Sequence, residues 1–158
     1  DFKFVKIFEG NRLRGKLDWA YCEKLKSIWE GPTVIKGILH PDDAQKAIDI
    51  GLDGIWVSNH GGRQFNGAPS SIEALPDIAA MVGGQVPIIF DSGVRTGLDI
   101  MRALYKGADF VMLGRPFLYS VAAIGQYGGD YVIDILKDDL KNNMVQLGVK
   151  SITDLKAY

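Results

Sequence analysis

The chain has 158 residues, 47% of them hydrophobic, with 18 basic and 19 acidic side chains giving a formal net charge of -1. That length and apolar content suit one domain with a real core, and the balanced, interspersed charge gives no sign of a nucleic-acid face or a strongly anionic partner. One cysteine, Cys22, excludes an intrachain disulfide framework and fits a reducing compartment, and no apolar run reaches the ~18 residues of a membrane span.

In chain order, residues 1–16 (DFKFVKIFEGNRLRGK) match no recognisable element, lack the cleavage pattern of a signal peptide, and stand as an unassigned segment or the remnant of an insertion. Asp18 to Trp29 reads as an amphipathic helix in which Cys22 is expected as a small buried hydrophobe. Four short β-like runs follow: Thr33 to Ile38 (TVIKGI), Gly54 to Ser58 (GIWVS), Val86 to Asp91 (VPIIFD) and Asp109 to Leu113 (DFVML). Each is nearly all apolar, as in strands of a parallel sheet that are buried on both faces.

Helix signals alternate with these runs. Pro41-Asp42-Asp43 opens one helix with proline and acids in its first turn, followed by Ala44, Ala47 and Ile48 on one side and Gly51 as a stop. Ser71 to Val82 is a second, which Pro76 is expected to bend or split, and Gly97 to Lys106 a third, stopped by Gly107. A longer run places Val132, Ile135, Leu136, Leu140, Met144 and Leu147 at helical spacing.

Repeated βα units fit either a doubly wound sheet or a (β/α)8 barrel. The polar residues decide between them. Three strand ends lead into SNHGGR, DSGVR and LGRP, as when a site is assembled from several loops at one end of a barrel, and no GxGxxG follows the first strand. Eight strands and about 250 residues make a barrel, so the expectation is an α/β fold of the TIM-barrel type with about four βα units. In DSGVRTG and GRP, glycines permit close backbone approach, helix amino termini offer free N–H groups, and Arg95 and Arg115 add charge-assisted bonds. Both loops would then grip a phosphate. Because that role often falls to the last two βα loops of a barrel, the four strands are counted as the fifth to eighth. Lys36, inside an apolar strand, either meets a ligand or partner or snorkels from the strand end.

The motifs IKG (35–37), SNHGGRQ (58–64), DSGVR (91–95) and LGRPF (113–117) together resemble the FMN-dependent α-hydroxy-acid oxidase and dehydrogenase family, of the glycolate oxidase and L-lactate dehydrogenase type. Residues 17–158 would be the carboxyl-terminal half of its barrel. The resemblance implies FMN as cofactor and oxidation of a small L-2-hydroxy acid, of the lactate, glycolate or mandelate type, to the 2-keto acid. His60 resembles the active-site base and Arg63 the clamp on the substrate carboxylate. Lys36 is similar to the lysine beside the flavin N1/O2 edge, and Ser58 to a serine bonding the flavin or ribityl region. Asp91, Ser92, Gly93, Arg95, Gly114 and Arg115 correspond to the ribityl and phosphate cradle.

The residue types suit that chemistry. A planar guanidinium takes a carboxylate in two parallel bonds, and histidine exchanges protons near neutral pH. Gly61 and Gly62 let the loop turn sharply enough for both side chains to face a ligand. The family's amino-terminal half supplies substrate-contacting tyrosines, a second arginine and an aspartate that pairs with the histidine. With those strands missing, turnover by the isolated chain is not expected, and the alternative is a non-catalytic FMN- or phosphate-binding half-barrel. Exposed sheet edges predict association with a second copy or with the missing half. No nucleic-acid partner is expected. The chain ends KAY rather than in a peroxisomal Ser-Lys-Leu signal, and the expected location is cytoplasmic or peripheral at a membrane.

Overall fold

A computed structural model describes residues 18–157; the expectation for residues 1–16 lies outside them. The chain divides into two compact units at Thr33 and Val34. In the first, α1 (Trp19–Ile28) begins where Asp18 Oδ1 accepts from Tyr21 N at 3.0 Å and ends as Trp29 N–H donates to Leu25 O. Cys22 is half-buried, not buried as expected. Its helical neighbours Tyr21 and Leu25 are 43% and 40% exposed among the described residues.

The second unit runs β1 (Val34–Ile38), α2 (Pro41–Asp49), β2 (Gly54–Val57), α3 (Ser71–Val82), β3 (Ile88–Phe90), α4 (Gly97–Tyr105), β4 (Phe110–Val111), α5 (Arg115–Ile124), α6 (Gly128–Leu147) and α7 (Ile152–Ala157). The strands form one parallel sheet in the order β1-β2-β3-β4, so each helix from α2 to α4 is a crossover between adjacent strands. This is the βα repeat that the sequence predicts.

The strands are not buried on both faces. Ile55, Val57, Ile88 and Phe90 on one face are at most 3% exposed and share a core with Ala44 and Ala47 of α2 and Leu75, Ile78 and Val82 of α3. On the other face, register aligns Lys36, Trp56, Ile89 and Phe110 across the sheet. None of these is buried, and Val34 and Phe110 at the edges are 45% and 59% exposed. The reason is architectural: in a closed barrel this second face would look inward at further strands. At the edge, β4 shrinks to two residues.

Pro76 does not split α3, which stays continuous from Ser71 to Val82. A proline there removes one backbone donor, and the buried Leu75, Ile78 and Val82 anchor the helix on both sides of it. The stripe on α6 is narrower than predicted. Val132 and Leu136 are buried, whereas Ile135 and Leu147 are 50% and 37% exposed. The short α7 was not anticipated; Leu155 seats it against Leu104 and Val149.

Candidate functional site

The loops that follow β2, β3 and β4 open at the same end of the sheet. After β2, Ser58 is 1% exposed and the chain then makes a tight turn over His60–Gly62. His60, Gly61 and Gly62 have φ of 57, 67 and 72°. Three successive left-handed residues suit glycine, and His60 is the one that carries a Cβ penalty. Hydrogen bonds hold it there: His60 N donates to Ser58 Oγ at 3.0 Å, Gly61 N to Ser92 Oγ at 3.0 Å and Gly62 N to Asn59 O at 3.1 Å. Asn59 N in turn donates to Ser71 Oγ, tying the loop to the first turn of α3.

Behind the loop lies a charged cluster. Lys36 Nζ donates to Ser58 Oγ at 2.6 Å and pairs with Asp91 Oδ2 at 2.9 Å, while Ser58 Oγ donates to Asp91 Oδ1. Ser92 Oγ also donates to Asp91 Oδ1, at 2.7 Å. Burial alone would raise the Asp91 carboxyl, but the hydrogen bonds from Ser58, Ser92 and Lys36 and the Lys36 charge outweigh it and hold the carboxyl below its ordinary value. Asp91 is therefore an anion here, and Lys36 has the partner that its place in a strand demands.

The two loops expected to grip an anion differ. At the start of α4 three amides are already taken: Arg95 N and Thr96 N donate to Asp99 Oδ2, and Gly97 N donates to Asp139 Oδ2 at 2.6 Å. Two carboxylates occupy the place where an anion was predicted. The start of α5 has no side-chain cap at Gly114, and Arg115 projects its guanidinium over Gly61. Nothing stands within 4 Å of where a Cβ would lie on Gly93 or Gly114. An anion thus finds open glycine backbone, the α5 terminus and the side chains of Arg95 and Arg115.

A cleft of about 320 Å3 joins these parts. His60 and Arg63 line it from the first loop, Asp91, Ser92, Gly93 and Arg95 from the second, Gly114 and Arg115 from the third, and Lys36 from β1. Ser58 alone of the sequence-predicted residues does not line it; its hydroxyl donates once and accepts twice, which fills its hydrogen-bonding capacity. Trp56 is a lining residue that sequence reasoning missed. Lys36 Nζ sits 4.9 Å from its ring centroid, and its indole Nε1 is buried without a partner. The alternation Trp56, Ser58 on one strand face was the available signal. Among the described residues no group of three or more His, Cys, Asp or Glu could hold a metal ion.

Four parallel βα units with a cationic, glycine-rich cleft at the strand ends are the architecture of a portion of a (β/α)8 barrel. Residues 3–158 match the FMN-dependent dehydrogenase family, and the chain belongs to it. It is 49% identical over 139 residues to the L-lactate dehydrogenase of Ectopseudomonas mendocina, a match covering 88% of this chain and 37% of that protein. The structure of a lactate oxidase from Pediococcus acidilactici is similar with a TM-score of 0.81 and 49% identity, over 85% of this chain and 38% of that one. A mandelate oxidase with (S)-mandelic acid gives a TM-score of 0.84 at 38% identity, over 88% and 42% of the two chains. The chain therefore spans well under half the length of these relatives. The family's cofactor, FMN, carries a phosphate, which suits the open glycines and the two arginines of the cleft.

Proposed function

We propose that this chain is the carboxyl-terminal part, over residues 17–158, of an FMN-dependent enzyme that oxidises a small L-2-hydroxy acid to the 2-keto acid. The observation that carries the reading is the presence of His60 and Arg63 at the two ends of one tight turn, lining the same cleft as Lys36, Arg95 and Arg115. Arg63 takes the substrate carboxylate and orients the carbon that bears the hydroxyl. His60 receives the proton released on oxidation. Bound FMN supplies the two-electron acceptor. Lys36 places positive charge near its ring, Gly93, Arg95, Gly114 and Arg115 hold its phosphate, and Asp91 lies on the ribityl side, with Ser58 and Ser92 bonded to it from behind. The names of the relatives, L-lactate dehydrogenase, lactate oxidase and mandelate oxidase, support this class of substrate.

The open sheet face favours a covering partner. Val34, Phe110 and Met112 expose apolar surface at the two edge strands of the described sheet, and the rest of the barrel, or a second copy, covers them. A cytoplasmic setting, free or peripheral at a membrane, agrees with a single cysteine. The test is anaerobic. The complete protein loaded with FMN is mixed with L-lactate, glycolate or L-mandelate, and loss of the oxidised flavin absorbance is expected with at least one. If none bleaches the flavin, the enzyme reading is wrong; a protein that binds FMN and stays yellow would be the non-catalytic half-barrel.

A further inference from the structure

Two non-glycine residues among those described have a positive φ, His60 at 57° and Ser92 at 86°. Glycine would adopt the Ser92 conformation without strain, so its side chain is expected to do something that glycine cannot. The Ser92 hydroxyl donates to Asp91 Oδ1 at 2.7 Å and accepts from Gly61 N at 3.0 Å. Ser58 makes the matching pair one amide earlier, donating to Asp91 Oδ1 and accepting from His60 N at 3.0 Å. The two amides flank the α-carbon of His60. One carboxylate oxygen, acting through two serine hydroxyls on different loops, thereby fixes both peptide planes that set φ and ψ of His60.

We infer that Ser92 is a positioning residue, which with Ser58 locks the left-handed backbone of His60 and so aims its imidazole, rather than a ligand for the cofactor. Its hydroxyl proton goes to Asp91 and a lone pair to Gly61, leaving no donor for a phosphate. The inference rests on the proposed role of His60 only for its effect on turnover. The bridge itself is a matter of backbone geometry.

Ser92→Ala and Ser92→Gly separate these effects in the complete, FMN-loaded protein. Both delete the bridge, but Ser92→Gly places glycine at a backbone conformation that it adopts without strain, so that variant keeps the test open if Ser92→Ala does not fold. Amide exchange at Gly61 should quicken roughly fivefold to tenfold in both, the worth of one ordinary hydrogen bond. The kcat for a 2-hydroxy acid should fall roughly tenfold, while the Kd for FMN changes less than twofold. Unchanged Gly61 exchange in both variants would overturn the inference, as would a tenfold weaker Kd for FMN with kcat preserved. Should the parent protein oxidise no hydroxy acid, the functional reading fails, and Gly61 exchange still decides the bridge.

Discussion

Lys36 Nζ stands 2.9 Å from Asp91 Oδ2, joining the middle of β1 to the end of β3 across the strand between them. The Ser58 hydroxyl at the end of that middle strand bonds to both. Removing the ammonium leaves a half-buried carboxylate with two serine donors and no counter-charge. Lys36→Met is therefore expected to destabilise the complete protein by about 1–3 kcal/mol, less than a fully buried pair because both groups keep some water. Urea unfolding of Lys36→Met, Asp91→Asn and the double variant would measure it. A coupling energy near zero would mean that the pair is only a contact.

Acid should release the same cluster. The folded Asp91 carboxyl lies below its ordinary value of 3.8, so the folded state binds fewer protons than the unfolded chain near that pH. Its stabilisation is complete well above 3.8 and is lost as pH falls from there through the lowered folded value. Asp109, also lowered, acts in the same direction and window. Unfolding free energy measured from pH 6 to pH 2.5 should hold steady and then drop. Asp91→Asn should flatten part of that drop, and an equally steep curve would refute the assignment.

Much of this site was legible in the sequence because strands buried on one face end where the chain first meets solvent. His60, Asp91 and Arg115 all follow apolar runs, and the structure brings their loops to one cleft. The partners of Asp91 were not legible, since Ser58 lies 33 positions away and nothing local marks it as the central hydroxyl. The open face of the sheet was hidden for another reason. Trp56, Ile89 and Phe110 are apolar in keeping with a barrel interior, so composition alone reads them as core. The occupied start of α4 was signalled, by the Thr96 and Asp99 spacing of a capping box, and the glycines beside it drew the reading toward a phosphate.

At the opposite end of the sheet, Asp109 links three elements. Its Oδ2 accepts from Ile88 N at 2.9 Å and its Oδ1 takes Lys156 Nζ of α7 at 2.7 Å. Burial works against its ionisation, and these two partners outweigh it. Asp109→Asn disturbs both bonds and should cost about 1–2 kcal/mol, whereas Lys156→Ala removes a solvent-screened pair and should cost at most about 1 kcal/mol. Thermal or urea unfolding of the two variants gives the order. The reverse order would mean that α7 is held chiefly by the ion pair.

The two helix starts make opposite predictions for cofactor binding. Thr96 Oγ1 accepts from Asp99 N while Asp99 Oδ2 accepts from Thr96 N, a closed capping box that takes two of the amides an anion at this end of α4 would use. Thr96→Ala should therefore lower stability by about 1 kcal/mol and leave the Kd for FMN unchanged. Arg115 stands at the uncapped start of α5 beside the open backbone of Gly114. Charge-assisted bonds to a phosphate are worth about 1.5–3 kcal/mol, so Arg115→Ala should weaken FMN binding roughly tenfold to a hundredfold, and Arg115→Lys should restore only part of it. Quenching of flavin fluorescence on titration reads both constants. Equal weakening in the Thr96 and Arg115 variants would return the phosphate to α4, and the closed capping box would then have to open to receive it.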